Sequence, residues 1–416
     1  MKPVLIALLG LFCACSLLAG ETPYERAPAE HKKLFDAARE ELLKDSEQPL
    51  KPLASMDERW FWFAAAKLEP LLDAYAYSRE TVFLDRFVAT MEQALKERYV
   101  HPTEPETWSG WFHYKTQDHS YMVIHAGIAH YKPALTFALL VRADPALNDK
   151  YGAKAEAWFK EIHETDIRAW DRRGCWKDFG EKGGWYVKIT QKPDAATHQL
   201  VPEDDRLAGT SYAYNKAHRM IEGLVLAYRL TGDAWYKERI EKCERYFRSK
   251  WRVDEKHAEW NYRDRTGVWD YNEGIEDEAH AKFGEWVHPK GGYFATDVDA
   301  AVACYDAGLA FTRADMEKLI QSNLEFMWDG NEKKPEFSNI NGKVNPQGKM
   351  TGHGSLWTAL ARFSEKTRTL WRAELDAMRP GKFGWTKNVM AYLLAVSEPV
   401  SWEPRHVKEI PALASK

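Results

Sequence analysis

The chain has 416 residues, of which 45% are hydrophobic and 29% charged, with a formal net charge of −4. That balance is ordinary for a globular protein and excludes the broadly basic surface on which nucleic-acid binding depends. Aromatics stand out at 13%, with 18 Trp; most are expected in the core, but Trp108, Trp111, Trp185, Trp260 and Trp269 sit beside Gly or charged residues, where an exposed indole face suits the C–H face of a sugar ring.

In chain order, Met1-Lys2-Pro3 leads into an uncharged run from Val4 to Ala19, and the small residues Ala19 and Gly20 precede polar sequence at Glu21 to Arg26. This is the layout of a secretory leader over 1–20, too short to span a bilayer, so the protein is expected to be exported to the periplasm or the exterior. Cys13 and Cys15 lie inside the run and leave a lipid-anchored form open, although Phe12 and Cys13 fit a lipoprotein pattern poorly upstream of Cys15. Simple secretion is the preferred reading. Past the leader, 21–416 reads as a single domain. Its Cys175, Cys243 and Cys304 permit at most one disulfide and are too scattered for a zinc site, and no metal or cofactor is called for.

Glu30 to Asp45 has the apolar spacing of an amphipathic helix, and Asp57 to Tyr77 that of a longer, more apolar one. A pattern then recurs: a hydrophobic helix, a short polar turn and an amphipathic helix. Glu69 to Tyr77 is followed by Val82 to Tyr99, Tyr121 to Leu140 by Asp149 to Ile167, and Tyr214 to Leu230 by Thr231-Gly232-Asp233 and Ala234 to Trp251. Asp297 to Phe311 is followed by Asp315 to Trp328, His353 to Phe363 by Glu365 to Met378, and Trp385 to Ser397 closes the series. Repeated helical hairpins imply alternating buried and outer helices. The expected fold is all-α, an (α/α) toroid built as an incomplete barrel of helical hairpins. Inner helices should include Leu224 to Tyr228 and Ala300 to Leu309, and outer ones Lys237 to Arg248. Inserts at 102–118, 172–209 and 251–295 all precede inner helices and should gather at one rim around a cleft.

Those inserts carry most of the reactive side chains. Asp118-His119-Ser120-Tyr121, Tyr212 to His218 and Gly352-His353-Gly354-Ser355 each head an inner helix. The stretch Trp260 to His280 adds Tyr262, Arg263, Arg265, Tyr271 and His280 on backbone interrupted by Gly267 and Gly274. No H-E-x-x-H, phosphate-cradling glycine loop or nucleophile elbow is present, which argues against metalloprotease, nucleotide-binding and serine-hydrolase chemistry.

Asn215 and His218 at the head of one helix, then Arg265 and Tyr271 some fifty residues on, resemble the alginate lyases and related uronate-polysaccharide lyases with an α/α toroid. This chain departs from their Asn-Asn-His-Ser-Tyr-Trp form, reading Tyr-Asn-Lys-Ala-His-Arg. The resemblance implies β-elimination on an anionic polysaccharide of alginate or glucuronan type. Asn215, His218 and Arg265 would neutralise the carboxylate, and Tyr271 would serve as base and acid. His119, Tyr214, Tyr262, Arg263, His280 and His353 would bind substrate, with Tyr262 and Tyr214 as rivals for the catalytic tyrosine. Two other classes stay open: a toroid glycoside hydrolase using a carboxylate pair from Glu273, Glu276, Asp277 and Glu278, and an exported carbohydrate-binding protein.

Overall fold

A computed structural model describes residues 21–47 and 58–404, apart from 97, 112, 117, 118, 122, 123, 204 and 345–353. The leader and the Cys13/Cys15 pair therefore lie outside the described residues, as does His353. Helices dominate, as the repeated hairpins predict. They are α1 (Ala29–Glu47), α2 (Glu58–Ser78), α3 (Thr81–Lys96), α4 (Ile124–Ala143), α5 (Pro145–Ile162), α6 (Tyr214–Thr231), α7 (Ala234–Ser249), α8 (Gly292–Asp306), α9 (Arg313–Gln321), α10 (Glu365–Ala377) and α11 (Phe383–Ser397).

The hairpin turns are written in local chemistry. Between α4 and α5, the Asp144 carboxylate accepts from the Ala146 backbone N–H while Pro145 opens the helix, where its missing N–H costs nothing. Between α6 and α7, Gly232 takes the left-handed conformation at φ 69° and Asp233 caps the next helix by accepting from Trp235 N. At α9, Thr312 and Asp315 form a reciprocal capping box. Each turn satisfies the orphaned groups of two helix ends within a few residues, so each hairpin folds back tightly.

Packing closes the hairpins into a ring. α2 lies against α4, α4 against α6, α6 against α8, and α8 against a short 3-10 segment, Thr358–Arg362; that segment meets α11, and α11 returns to α2. The ring thus has five full α-helices and one abbreviated stave. Outside it, α3, α5, α7, α9 and α10 each pack on the inner helix or stave that precedes or follows them, and α1 covers α11. The inner and outer assignments made from α6, α8 and α7 hold. Two boundaries shift. α8 begins at Gly292 rather than Asp297, which lies inside the helix and points into the core, and it stops before Gly308, at φ 70°. The expected inner helix from His353 is reduced to the 3-10 segment among the described residues.

The inserts hold four short antiparallel hairpins, pairing 113–116 with 119–121, 176–178 with 184–186, 191–193 with 200–202, and 252–253 with 258–259. They sit before α4, α6 and α8, as the rim arrangement requires. Core packing is aromatic: Trp170, Trp185, Trp260 and Trp357 are fully buried. Trp108 and Trp111 are buried as well, so of the five Trp expected as platforms only Trp269 is partly open. Cys175, Cys243 and Cys304 are buried free thiols.

Candidate functional site

One face of α6 runs through Asn215, Arg219, Glu222, Leu226 and Arg229, spaced by three and four residues, and Glu222, Leu226 and Arg229 of that face line the lumen cavity. His218 is not on that face. It is fully buried in the wall, with Nδ1 2.6 Å from Asp297 Oδ1 and Nε2 3.6 Å from Glu244 Oε1, and its ring lies edge-on to Phe247. Trp260 Nε1 donates to the other Asp297 oxygen at 2.8 Å. The expectation that Asn215 and His218 share a cleft therefore fails, since Asp297 and Glu244 hold the His218 ring inside the wall between α6, α7 and α8. Asn215 keeps its place, with Oδ1 buried and unbonded.

The Trp260 to His280 stretch folds on itself. Asp270 is buried and accepts from Ser211 N and Oγ and from Thr266 N, while Asp264 accepts from the Tyr214 hydroxyl at 2.6 Å and from Asn261. Tyr214 is thereby a structural tyrosine. Arg265 is held by Glu278 at 2.8 Å and Glu285 at 3.2 Å. Its guanidinium lies 5.4 Å from the Tyr271 ring, yet burial still carries the Tyr271 phenol above its ordinary range, so the ring lacks the depression a base needs near neutrality. His280 pairs with Asp277 at 2.7 Å, and Arg263 stacks 3.9 Å from the Phe283 centroid. No hydrogen bond or ring contact links Tyr271 or His280 to Asn215 or His218 among the described residues. The carboxylate run fares no better: Glu273, Glu276, Asp277 and Glu278 are all exposed, Asp277 is engaged by His280, and Glu278 by Arg265. His119 lies on the 119–121 strand, and nothing of its side chain is described.

Two features emerge that sequence reasoning missed. The first is a cluster of rings at the heads of α6 and α8. Tyr262 stacks on Tyr293 at 5.6 Å and meets His288 at 4.7 Å, and Trp286 stacks on His288 at 4.8 Å. Trp286 is 41% exposed, and burial lowers the pKa of His288. The loop sequence Gly284-Glu285-Trp286-Val287-His288-Pro289, a Trp between turn-forming residues, is the signal that could have found it.

The second feature lies in the lumen, where the inner helices enclose a partly open cavity of about 480 Å³. Its rimward end is a belt of charge. Lys387 of α11 donates to Glu69 of α2 at 2.8 Å, and Lys132 of α4 lies 3.8 Å from Glu69 and 2.5 Å from Glu222 of α6. Arg219 donates to Glu222 at 2.6 Å and comes within 3.9 Å of Asp299 on α8. Asp73 stands one turn below Glu69. Beyond the belt the wall passes through Leu72, Pro133, Val225, Leu226, Val302 and Ala391 to a second charged set, Arg229 and the Arg362–Asp306 pair.

The belt separates its carboxyls. The two lysines hold Glu69 ionised, down to about 2 against the pull of burial, and the same cations only partly offset burial at the other carboxyls. Asp73 is pushed up to about 7 by burial and then by Glu69, and Asp299 to about 6 by burial and then by Glu222. α2 and α8 stand three places apart in the six-place ring, so Asp73 and Asp299 belong to opposite walls. Neither was singled out in the sequence, because each is one Asp on an apolar helix until the ring closes.

No protein-family model and no curated protein matches the chain. Among solved structures it is similar to the alpha-1,6-mannanase GH76A of Salegentibacter sp. HEL1_6, at 11% identity and a TM-score of 0.45, over 88% of this chain and 98% of that one. Two inactive variants of that enzyme match over the same shares: one with alpha-1,6-mannotriose at 11% identity and TM-score 0.47, one with alpha-1,6-mannotetrose at 12% and 0.46. These are glycoside hydrolases, not lyases. The lyase reading of the sequence is corrected on the geometry: His218 is sealed in the wall, Arg265 is neutralised by two glutamates, and Tyr271 has no base-like environment. Tyr271→Phe is therefore expected to leave turnover close to wild type in a rate assay on the best substrate. A general base would instead show a ~10²- to 10⁴-fold loss.

Proposed function

We propose that the chain is an exported glycoside hydrolase of the α/α-toroid kind, acting on a neutral polysaccharide. The observation that carries this reading is the placement of Asp73 and Asp299 on opposite walls of one lumen cavity, with carboxyls poised on the two sides of weakly acidic pH. Glycoside cleavage needs one carboxylic acid to protonate the departing oxygen and one carboxylate to activate water or to attack the sugar. Environments that push two carboxyl groups apart in this way allocate those roles. Asp73, the more readily protonated, is the acid, and Asp299 is the base or nucleophile. Arg219, 3.9 Å from Asp299, holds that carboxylate in place and limits how far its pKa rises.

The ring cluster at the rim supplies the complementary part. Sugar rings present C–H faces that stack on Trp286, and His288 and the hydroxyls of Tyr262 and Tyr293 offer polar edges. Trp286→Ala is expected to raise KM about three- to tenfold on a long glycan with kcat nearly unchanged, because stacking is made equally in ground and transition states. Steady-state kinetics on polymer and on short oligosaccharides check this, and an unchanged KM on polymer would remove Trp286 from the binding surface. An export leader at 1–20 would place the enzyme outside the cell, where a polymer too large to cross a membrane is met.

The deciding experiment incubates the purified protein with a panel of neutral glycans, alpha-1,6-mannan among them, and with polymannuronate, polyguluronate and glucuronan. Hydrolysis gives new reducing ends without ultraviolet-absorbing products. An unsaturated, absorbing product would overturn the reading in favour of elimination, and retention of polymer without any product would make the chain a binding protein.

A further inference from the structure

A second cavity, of about 290 Å³, lies between the turn Pro105–Trp108, the short helix Arg168–Arg172 and the strand pair 191–193 and 200–202. Its wall is polar, with Glu104, Thr107, Arg172, Arg173, Thr190 and Gln191. Arg173 is the unusual member. Its guanidinium lies between two indoles, 5.1 Å from the Trp108 centroid and 4.7 Å from that of Trp170. Nε donates to Thr107 O at 2.6 Å and Nη2 to Ser109 O at 3.3 Å, which leaves Nη1 without a protein acceptor among the described residues.

No carboxylate pairs with Arg173 among the described residues. Enclosure without a counter-charge draws its pKa down to about 10, and the nearest acid, Asp166, is itself pushed up to about 7 by burial. Arg172 beside it turns Nε and Nη2 to the Glu106 carbonyl and, at Nη1, reaches Glu164 at 3.3 Å. The one acid on the cavity wall, Glu104, is exposed. Arg173 is half-buried, and a cation in part withdrawn from water with a donor left open favours an anionic partner. Here the residue that carries the open donor lines a cavity.

We propose that this cavity is an oxyanion site, receiving a phosphate or sulfate group on Arg173 Nη1 and Arg172, with the Thr190 and Gln191 side chains closing around it. The guanidinium fork suits a tetrahedral oxyanion. The volume exceeds that of such a group and leaves room for a sugar that carries one, so the ion is either free or an ester on a glycan. The site is separate from the lumen and does not depend on the hydrolytic reading.

The test uses the full folded protein. Thermal midpoints are measured against inorganic phosphate and sulfate with chloride at matched ionic strength as the control, then against mannose 6-phosphate with mannose as the control. A saturable rise of about 3 °C is expected at a hundredfold excess over Kd. Gln191→Glu, which places a carboxylate on the wall at an exposed position, and Arg172→Gln should each abolish the rise, whatever their own starting midpoints. Equal effects of phosphate and mannose 6-phosphate identify a free ion, and tighter binding of the sugar phosphate identifies an ester. No saturable effect from any of these probes, or an undiminished one in Gln191→Glu, overturns the site.

Discussion

Replacing Asp299 by Asn is expected to lower turnover by ~10²- to 10⁴-fold, the range typical of a general acid–base group, and Asp73→Asn by a similar factor. The two losses should differ in pH dependence. The wild-type rate requires Asp299 ionised and Asp73 protonated, so it should rise through about 6 and fall through about 7, with a narrow optimum between. Asp299→Asn should remove the acid limb from the residual rate, and Asp73→Asn the alkaline limb. Stability supplies an independent check. Both carboxyls titrate higher in the folded chain than their ordinary 3.8. The folded state therefore holds protons that the unfolded state has released, and stability falls as pH rises from about 4 through 7. Asn cannot ionise, so each variant should be at least as stable as wild type at pH 8 while nearly inactive. Loss of function with retained or increased stability is the mark of groups kept strained for chemistry. Normal turnover in both variants would remove the lumen from the mechanism.

The helical hairpins were legible because each is encoded locally. Tyr214 to Leu230 and Ala234 to Trp251 were read nearly to the residue, since Gly232 and Asp233 stop one helix and start the next by their own backbone preferences. Inner against outer placement was legible from small, apolar helices alternating with charged ones. The site was not, and Asp297 shows why. Read as the first residue of a helix, it in fact lies inside α8 and is paired with His218 from another helix, 79 positions away. Likewise the reactive residues between Trp260 and His280 do cluster, but they satisfy each other. Arg265 meets Glu278 and Glu285, and Asp270 ties the loop to Ser211. Composition gives the types of group in a loop and not their partners. The lumen belt needs Glu69, Lys132, Glu222, Asp299 and Lys387 from five inner helices, so its existence depends on ring closure.

Asp297→Asn is expected to cost about 3–5 kcal/mol of stability, the penalty for removing one member of a buried charge pair. Asp297 accepts from both His218 Nδ1 and Trp260 Nε1, and an amide oxygen can serve the two only by turning its NH₂ on other donors. His218 would remain fully enclosed, with Glu244 at 3.6 Å as its remaining charged neighbour. Since whole domains are stable by only about 5–15 kcal/mol, denaturant unfolding should show a large drop in midpoint. The pH profile carries the same signature. His218 titrates above its ordinary 6.5, a contribution present below that value and lost as pH rises through the folded pKa. Asp297 and Glu244 are also raised, Glu244 to about 7, so ionising them costs the folded state as pH rises past 3.8 and 4.5. All three terms have one sign, and the wild-type wall should weaken from pH 4 to above 7. Deleting the Asp297 carboxylate should flatten that slope. Its kcat at permissive temperature should stay near wild type, because no atom of this network reaches the lumen. Asp297 and Asp299 stand two residues apart on opposite faces of α8, and their Asn variants are expected to fail in opposite ways: one unfolds early but turns over, the other folds well and does not. A midpoint for Asp297→Asn within about 0.5 kcal/mol of wild type would show that the network is not what holds α6, α7 and α8 together.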